Sequence, residues 1–333
     1  MRELTYRDAL REAIVEEMLR DESVFLLGED IGVYGGAYAV TKGLLEKFGS
    51  MRVIDTPMSE AVIVGAAAGA AACGLRPVAE VMYIDFLTLG TDQLINQAAK
   101  MRYMFGGRLT VPMVLRTQGG AGRSSAAQHS QSLEAWFTHV PGLKVVMPAM
   151  PKDAKGLLKS AIRDPNPVLF IEHKLLYNTK GDVPEGDYTV PIGKAAISRE
   201  GTDITIVSYS RMVRFALEAA EELSGQGISC EVVDLRTLLP CDWETVYDSV
   251  RKTRRLVIVH EACLTSGFGA EISARVNEEL FGNLLAPVMR VAGKDVPIPC
   301  TPVLERAAIP GKDQIMTAVI DAFNFPSKEV VKW

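Results

Sequence analysis

The sequence predicts two α/β domains, each built on a mainly parallel sheet. Short β-branched runs alternate with helix-period stretches through both halves of the chain, the signature of parallel strands covered by helices. Between His173 and Gly201 that alternation fails, and "NTKGDVPEGDYTVPIGKAAISREG" is rich in Gly, Pro and charge, as an interdomain connection is. The length of 333 residues fits about two units on a prior of roughly 150 residues each. The expected bounds are 1–185, a linker at 186–200, and 201–333.

The elements follow in order. "MRELTYRDALREAIVEEMLRDE" predicts an amphipathic helix with Ala9, Leu10, Ala13, Ile14 and Leu19 on its apolar face. "VFLLGED" and "RVID" are strand-like, and "RPVAEVMY" is a further strand. Between the last two lies "DTPMSEAVIVGAAAGAAACG", a helix of small apolar residues with Glu60 at its mouth. A helix from about Thr91 to Phe105 leads to the strand "VPMVLRTQGG", and "KVVMP" and "PVLFIEH" continue the sheet. After the linker, "DITIVSYS" is a strand and "RMVRFALEAAEELSGQG" a helix ended by Gly. "SCEVVDL", "RRLVIVHE" and "PVMRVAG" complete the second sheet.

Composition narrows the function classes. A net charge of −5 argues against a nucleic-acid binder, which needs a basic face to displace counterions. The hydrophobic share of 48% and charged share of 23% are those of an ordinary soluble globular protein. No uncharged stretch approaches the roughly 20 strongly apolar residues of a membrane span. The N-terminal helix lacks the apolar core of a signal peptide, and its acidic residues argue against a transit peptide. Cys73, Cys230, Cys241, Cys263 and Cys300 are odd in number, scattered and never CxxC, so they predict reduced thiols of a cytoplasmic protein.

Several motifs carry both a chemical and a structural reading. In "HEACLTSGFGAEI", Gly267 and Gly269 fall between a strand and a helix, where backbone N–H groups can bind an anion. Position 272 is Ile, so G-x-G-x-x-G fails, and a tight packed turn is favoured. GxxxxGK[ST], GxSxG and HExxH are absent, which removes the common phosphate-loop, serine-hydrolase and zinc-hydrolase readings. His129 lies in the polar, Gly-rich "GGAGRSSAAQHSQS" after a strand, where α/β proteins place ligands, although a lone loop histidine is more often structural. His139 and His173 lack such a context and are read as structural. Glu60 permits two accounts. As a first-turn carboxylate, with Thr56 or Ser59 as cap, it would stabilise a helix end by roughly 0.3–1 kcal/mol. Alternatively, the Ala66–Ala72 run with Gly65 and Gly69 lets another surface close over it, desolvating the carboxyl group and favouring its protonated form.

Two long segments, "DTPMSEAVIVGAAAGAAACGLRPVAEVMYIDFLTLGTDQLINQAAKMRYMFGG" and "AAQHSQSLEAWFTHVPGLKVVMPAMPKDAKGLLKSAIRDPNP", resemble the β subunits of thiamine-diphosphate-dependent 2-oxo acid dehydrogenases. That family includes the pyruvate, branched-chain and acetoin dehydrogenases, and the likeness runs from "LTYRDALREAI" to "GKDQIMTAVIDA". It implies two three-layer domains: an N-terminal pyrimidine-binding thiamine-diphosphate fold and a transketolase-type C-terminal domain. It also implies that Glu60 hydrogen-bonds the cofactor's pyrimidine N1′, that Met82 and Phe86 line the aminopyrimidine pocket, and that His129 serves acyl transfer to a lipoyl group. For Met82 and Phe86, simple core packing is the competing account. Met113, Ala161, Ile162, Asp164 and Asn166 match a structural potassium loop that uses mostly carbonyl oxygens, although "RDPNP" is equally an ordinary turn.

The family's diphosphate site uses Gly-Asp-Gly with a later Asn to hold a divalent metal; this chain has "KGDVPEGDY" and no GDG. The resemblance therefore implies half an active site, with Mg2+ held mainly by an α subunit in an α2β2 assembly. A lipoyl-bearing dihydrolipoamide acyltransferase is the second implied partner. "AAQHSQSLEAWFTHVPGLKVVMP" is closer to pyruvate- and acetoin-type members than to branched-chain ones, so pyruvate is the expected substrate and acetoin the alternative. A non-catalytic α/β scaffold is the alternative of a different class.

Overall fold

The computed structural model describes residues 1–326; the end of the expected second domain, 327–333, lies outside the described residues. In chain order the strands are β1 (Arg2–Thr5), β2 (Val24–Gly28), β3 (Val53–Asp55), β4 (Arg76–Val81), β5 (Val114–Gly119), β6 (Lys144–Val146), β7 (Val168–His173) and β8 (Lys180–Val183). There follow β9 (Ala196–Arg199), β10 (Ile204–Ser208), β11 (Cys230–Asp234), β12 (Thr237–Leu239), β13 (Leu256–Cys263) and β14 (Met289–Gly293).

One sheet has the order β12-β6-β7-β5-β4-β2-β3, and its strands are parallel except β12, which is antiparallel to β6. The second has the order β14-β13-β10-β11-β9, with only β9 antiparallel. Every residue of β5, β7 and β10 is buried, as expected of parallel strands covered on both faces. Successive residues alternate between layers: in β7, Val168 and Phe170 enter one apolar cluster, while Leu169 and Ile171 enter another. That second cluster extends to Val207, Val233 and Ile258 of the other sheet, so the two sheets share a middle layer. A third cluster covers the far face of the second sheet. The two three-layer α/β domains predicted from the sequence are present.

The N-terminal helix is Tyr6–Arg20, preceded by β1 paired antiparallel with β8. Thr5 caps it, its Oγ1 accepting from Asp8 N at 3.1 Å. Ala9, Leu10, Ala13 and Ile14 are buried as predicted, but Leu19 is 66% exposed and Met18 takes the inward place. Met18 lies one turn beyond Ile14, so the helical period favours it over Leu19. The helix expected near Thr91–Phe105 is present, with a wider π-helical stretch at Gln93–Ala98 before α-helical Ala99–Met104.

A buried charge cluster joins β4, β5 and β7. Arg116 Nε and Nη2 donate to Glu172 at 2.6 and 2.8 Å, and Nη1 donates to Glu80 at 2.5 Å. Such a cluster fixes register, because breaking one pair would strand a buried charge at a cost of about 3–5 kcal/mol.

Candidate active site

Four neighbouring strands of the first sheet end on the same side, and each leads into a candidate residue. Glu29 follows β2, Glu60 opens the helix after β3, Met82 follows β4, and the segment carrying His129 follows β5. Crevices at the carboxyl ends of parallel strands are where α/β proteins bind ligands.

Glu60 is the first residue of the helix Glu60–Ala72 and is half-buried. Ser59 occupies the cap position but makes no capping hydrogen bond, and the buried Thr56 Oγ1 has no partner. No hydrogen bond or ion pair to the Glu60 carboxylate occurs among the described residues. Its charge is felt at Glu29, whose carboxyl is pushed above the ordinary range first by burial, then by Asp30 and Glu60. The helix buries Ile63, Val64, Ala67, Ala68 and Ala71, so the alanines on this face serve packing within the chain. A Cβ on Gly90 would lie 2.8 Å from Val64 Cγ2 and 3.2 Å from Glu60 O, so glycine lets the two segments touch. The opposite face, with Val62, Ala66 and Gly69, is exposed.

Met82 and Phe86 are half-buried, not closed into the core. Phe86, in the short helix Ile84–Leu87, meets the His129 ring edge-on with centroids 5.2 Å apart. Tyr83 meets the same imidazole from a second side at 5.7 Å. Lys174, just beyond β7, donates its ammonium to the His129 carbonyl oxygen and lies 4.2 Å from the Tyr83 ring centroid. Burial pulls Lys174 down to about 8, against the opposing influence of Asp85 and Glu261. Asp85 Oδ1 accepts from Gln131 N at 3.1 Å and from Gln131 Nε2 at 2.9 Å. The structure thus brings Phe86 and His129 together and ties the histidine segment to the Tyr83–Phe86 turn. Tyr83, Asp85, Gln131, Lys174 and Glu29 were not singled out from the sequence. Glu29, at the end of "VFLLGED", carried a legible signal, a carboxylate pair closing a buried strand.

The residues matched to a potassium loop lie at the other end of this sheet. Met113 precedes β5, and its carbonyl accepts from Val168 N at 2.9 Å. Ala161 and Ile162 end the helix Pro151–Arg163, and Asp164 Oδ1 accepts from Asn166 N and Nδ2, both at 2.9 Å. Arg76 Nη1 donates to the carbonyls of Ile162 and Asp164 at 2.8 and 3.4 Å, so a guanidinium already serves two of these oxygens.

Of the remaining histidines, His173 and His260 are buried and His139 is exposed. Gly267 and Gly269 pack on the His260 ring; a Cβ on either would lie 2.6 Å from an imidazole atom. Enclosure holds His260 neutral, lowering it to about 4. The glycine pair is therefore a packed turn. His173 Nε2 lies 3.0 Å from Glu261 Oε2 across the domain boundary.

Comparison with known proteins identifies both domains and their relatives. Residues 2–180 match the family model of the transketolase pyrimidine-binding domain, and residues 193–315 match that of the transketolase C-terminal domain. The chain is 52% identical to the β subunit of acetoin:2,6-dichlorophenolindophenol oxidoreductase of Cupriavidus necator, over 95% of this chain and 96% of that protein. It is 50% identical to the pyruvate dehydrogenase E1 component β subunit of Rhizobium meliloti, over 96% of this chain and 70% of that one. With the mitochondrial E1 β subunit of Caenorhabditis elegans, identity is again 50%, over 96% and 93%. A solved split-gene transketolase in an inactive β4 tetramer shares the fold, with TM-score 0.79 and 24% identity over 96% of this chain and 98% of that one. The chain belongs to the family of β subunits of thiamine-diphosphate-dependent pyruvate and acetoin dehydrogenases, with pyrimidine-binding and C-terminal domains of the transketolase type.

Proposed function

We propose that this chain is the β half of an α2β2 enzyme that oxidatively decarboxylates pyruvate and passes the acetyl group to the lipoyl group of a partner acyltransferase. The placement of Glu60, Met82 and Phe86 after neighbouring strands at the carboxyl edge of one sheet, with the Phe86 ring against His129, supports this reading. The 52% identity to an acetoin oxidoreductase β subunit supports acetoin cleavage as the second reading.

The residues fit an aminopyrimidine. Phe86 and Met82 are half-exposed apolar surfaces suited to a flat heterocycle, and Glu60 is a carboxylate without a protein partner among the described residues. Thiamine diphosphate, when bound, supplies a nucleophilic carbon and an electron sink. Glu60 would hold a proton at the pyrimidine N1′, and Met82 and Phe86 would hold the ring. His129, oriented by Phe86, Tyr83 and Lys174, would serve acyl transfer. With no Gly-Asp-Gly in the chain, the diphosphate and its Mg2+ fall to the α subunit. The exposed small-residue face of Val62, Ala66 and Gly69 supports close approach of another chain. The proposal includes a potassium ion at Met113, Ala161, Ile162, Asp164 and Asn166, bound mostly by carbonyl oxygens, each of which has two lone pairs. The domain division at 185–201 and a cytoplasmic setting complete the proposal; the five cysteines, all free, support the setting.

The test compares the chain alone with the chain plus its α partner. Cofactor binding, dye reduction driven by pyruvate or acetoin, and acetylation of a lipoyl domain are measured. Turnover is expected only in the pair, and Glu60→Gln should slow it by about 10²–10⁴-fold without disturbing assembly. Turnover by the lone chain, or near-normal turnover of the variant, would refute the reading.

A further inference from the structure

The segment between β5 and His129 is poorly suited to hold its own shape. Gly120 and Gly122 have φ of +90° and +104°, and the non-glycine residues Ser124 and Ala126 stand at +54° and +61°. Left-handed conformations cost L-residues of the order of 1–3 kcal/mol each and persist only where surroundings impose them. Here His173 and Leu175 crowd the two glycines from the same domain, and the rest of the surroundings comes from the other domain.

Glu305, on the helix Pro302–Ala308, is buried and reaches across the domain boundary. Its Oε1 accepts from Gly122 N at 2.8 Å, and its Oε2 accepts from Ser124 N at 3.0 Å and from Ser124 Oγ at 3.3 Å. Glu261, at the end of β13, adds a second anchor, its Oε1 accepting from Ala121 N at 2.6 Å. Beyond the turn, Lys174 and Asp85 fix His129 and Gln131. Two carboxylates of the C-terminal domain therefore hold the entry to the histidine segment, and the N-terminal domain holds its exit.

We propose that Glu305 is a positioning residue of the C-terminal domain that sets the place of His129 through the Gly122–Ser124 turn. A carboxylate suits this task because it accepts from three donors at once, and charge-assisted bonds to backbone N–H groups are about twice as strong as neutral ones. The inference rests on the proposed role of His129 in acyl transfer. It adds that the relative setting of the two domains tunes that step and not the earlier decarboxylation.

The experiment uses the assembled enzyme with Glu305→Ala, Glu305→Gln, His129→Ala and the double variant Glu305→Ala/His129→Ala. Two rates are followed: dye reduction, which bypasses the lipoyl group, and reductive acetylation of an isolated lipoyl domain. Amide hydrogen exchange is measured over residues 117–131. Glu305→Ala should slow acetylation about tenfold or more, leave dye reduction within about twofold, and raise exchange at Gly122 and Ser124. Glu305→Gln, which keeps one carbonyl acceptor, should recover part of the acetylation rate. The double variant should be no slower than His129→Ala alone, because Glu305 acts through the histidine. Equal losses in both rates, additive losses in the double variant, or unchanged acetylation despite faster exchange would overturn the proposal. If His129→Ala itself leaves acetylation intact, the role of the histidine fails instead, and the exchange result still decides whether Glu305 holds the turn.

Discussion

Replacing Glu134 by Gln should change the pH dependence of stability in a direction fixed by the structure. Glu134 opens the helix Glu134–Thr138 in the middle layer and is fully enclosed. Its Oε1 accepts from Tyr209 OH at 2.9 Å, and its Oε2 has no partner. Burial raises the carboxyl to about 7, and the nearby Glu261 charge adds to this, against the hydrogen bonds to its own backbone and to Tyr209. The unfolded value is near 4.3. A folded value above the unfolded one means that stability is fully present below about pH 4.3 and is lost as pH rises through about 7. The loss reaches about 3.6 kcal/mol by pH 8, at roughly 1.4 kcal/mol per unit of separation. Gln keeps the acceptor for Tyr209, resembles the protonated acid in shape and does not ionise. Asp234, likewise raised by burial to about 8, is present in both proteins and cancels in the difference. The advantage of Glu134→Gln over the parent should therefore grow by about 2.5 kcal/mol between pH 5 and pH 8. Urea unfolding at one fixed subunit concentration, followed at several pH values, measures it, since association would otherwise shift both curves. Parallel pH profiles for the two proteins would refute the reasoning.

Two further outcomes follow from packing and from ion binding. Gly269→Ala would place a Cβ 2.6 Å from His260 Cδ2 and 3.1 Å from Ile258 Cγ2, and should cost about 1–3 kcal/mol in urea unfolding; Gly282→Ala, with nothing within 4 Å, should cost no strain, and equal effects would remove the packed-turn account. Exchanging sodium for potassium should raise the thermal midpoint of the parent and leave the Michaelis constant for substrate unchanged; an unmoved midpoint would remove the ion from the proposal.

Much of the fold was legible because parallel strands buried on both faces are written as continuous apolar runs. "VLFIEH" and "ITIVS" can hardly be anything else. The missed strands were the edge and linking ones. β1, β8, β9 and β12 are short and partly exposed, and their pairing depends on distant partners: β12 joins the first sheet although its sequence neighbours lie in the second. The site divides in the same way. Glu60, Met82, Phe86 and His129 were found through long matching segments, while Lys174 and Glu305 were not. Neither sits in a motif, and each acts on backbone atoms 45 or more residues away in sequence, where nothing local records the contact.

The two ends of the first sheet carry different kinds of chemistry, and the difference follows from strand direction. At the carboxyl ends, the loops after β2, β3, β4 and β5 present side chains that are half-exposed or held by few bonds: Glu29, Glu60, Met82, Phe86 and His129. At the amino ends, Arg76, Met113 and the Ala161–Asn166 turn present mainly backbone carbonyls, with Arg76, Lys144 and Asp164 bound to one another or to those carbonyls. Groups committed to several internal bonds are poor partners for a reacting molecule and good ones for locking the sheet. A lesion at the amino edge should therefore appear in stability, and one at the carboxyl edge in rate. Glu305 is the exception that would join the two effects, because its internal bonds hold a turn that leads to His129, the side chain proposed for acyl transfer. On that proposal the C-terminal domain, which supplies none of Glu60, Met82, Phe86 or His129, still shapes the site, through the bonds of Glu305 and Glu261 to the 121–124 backbone.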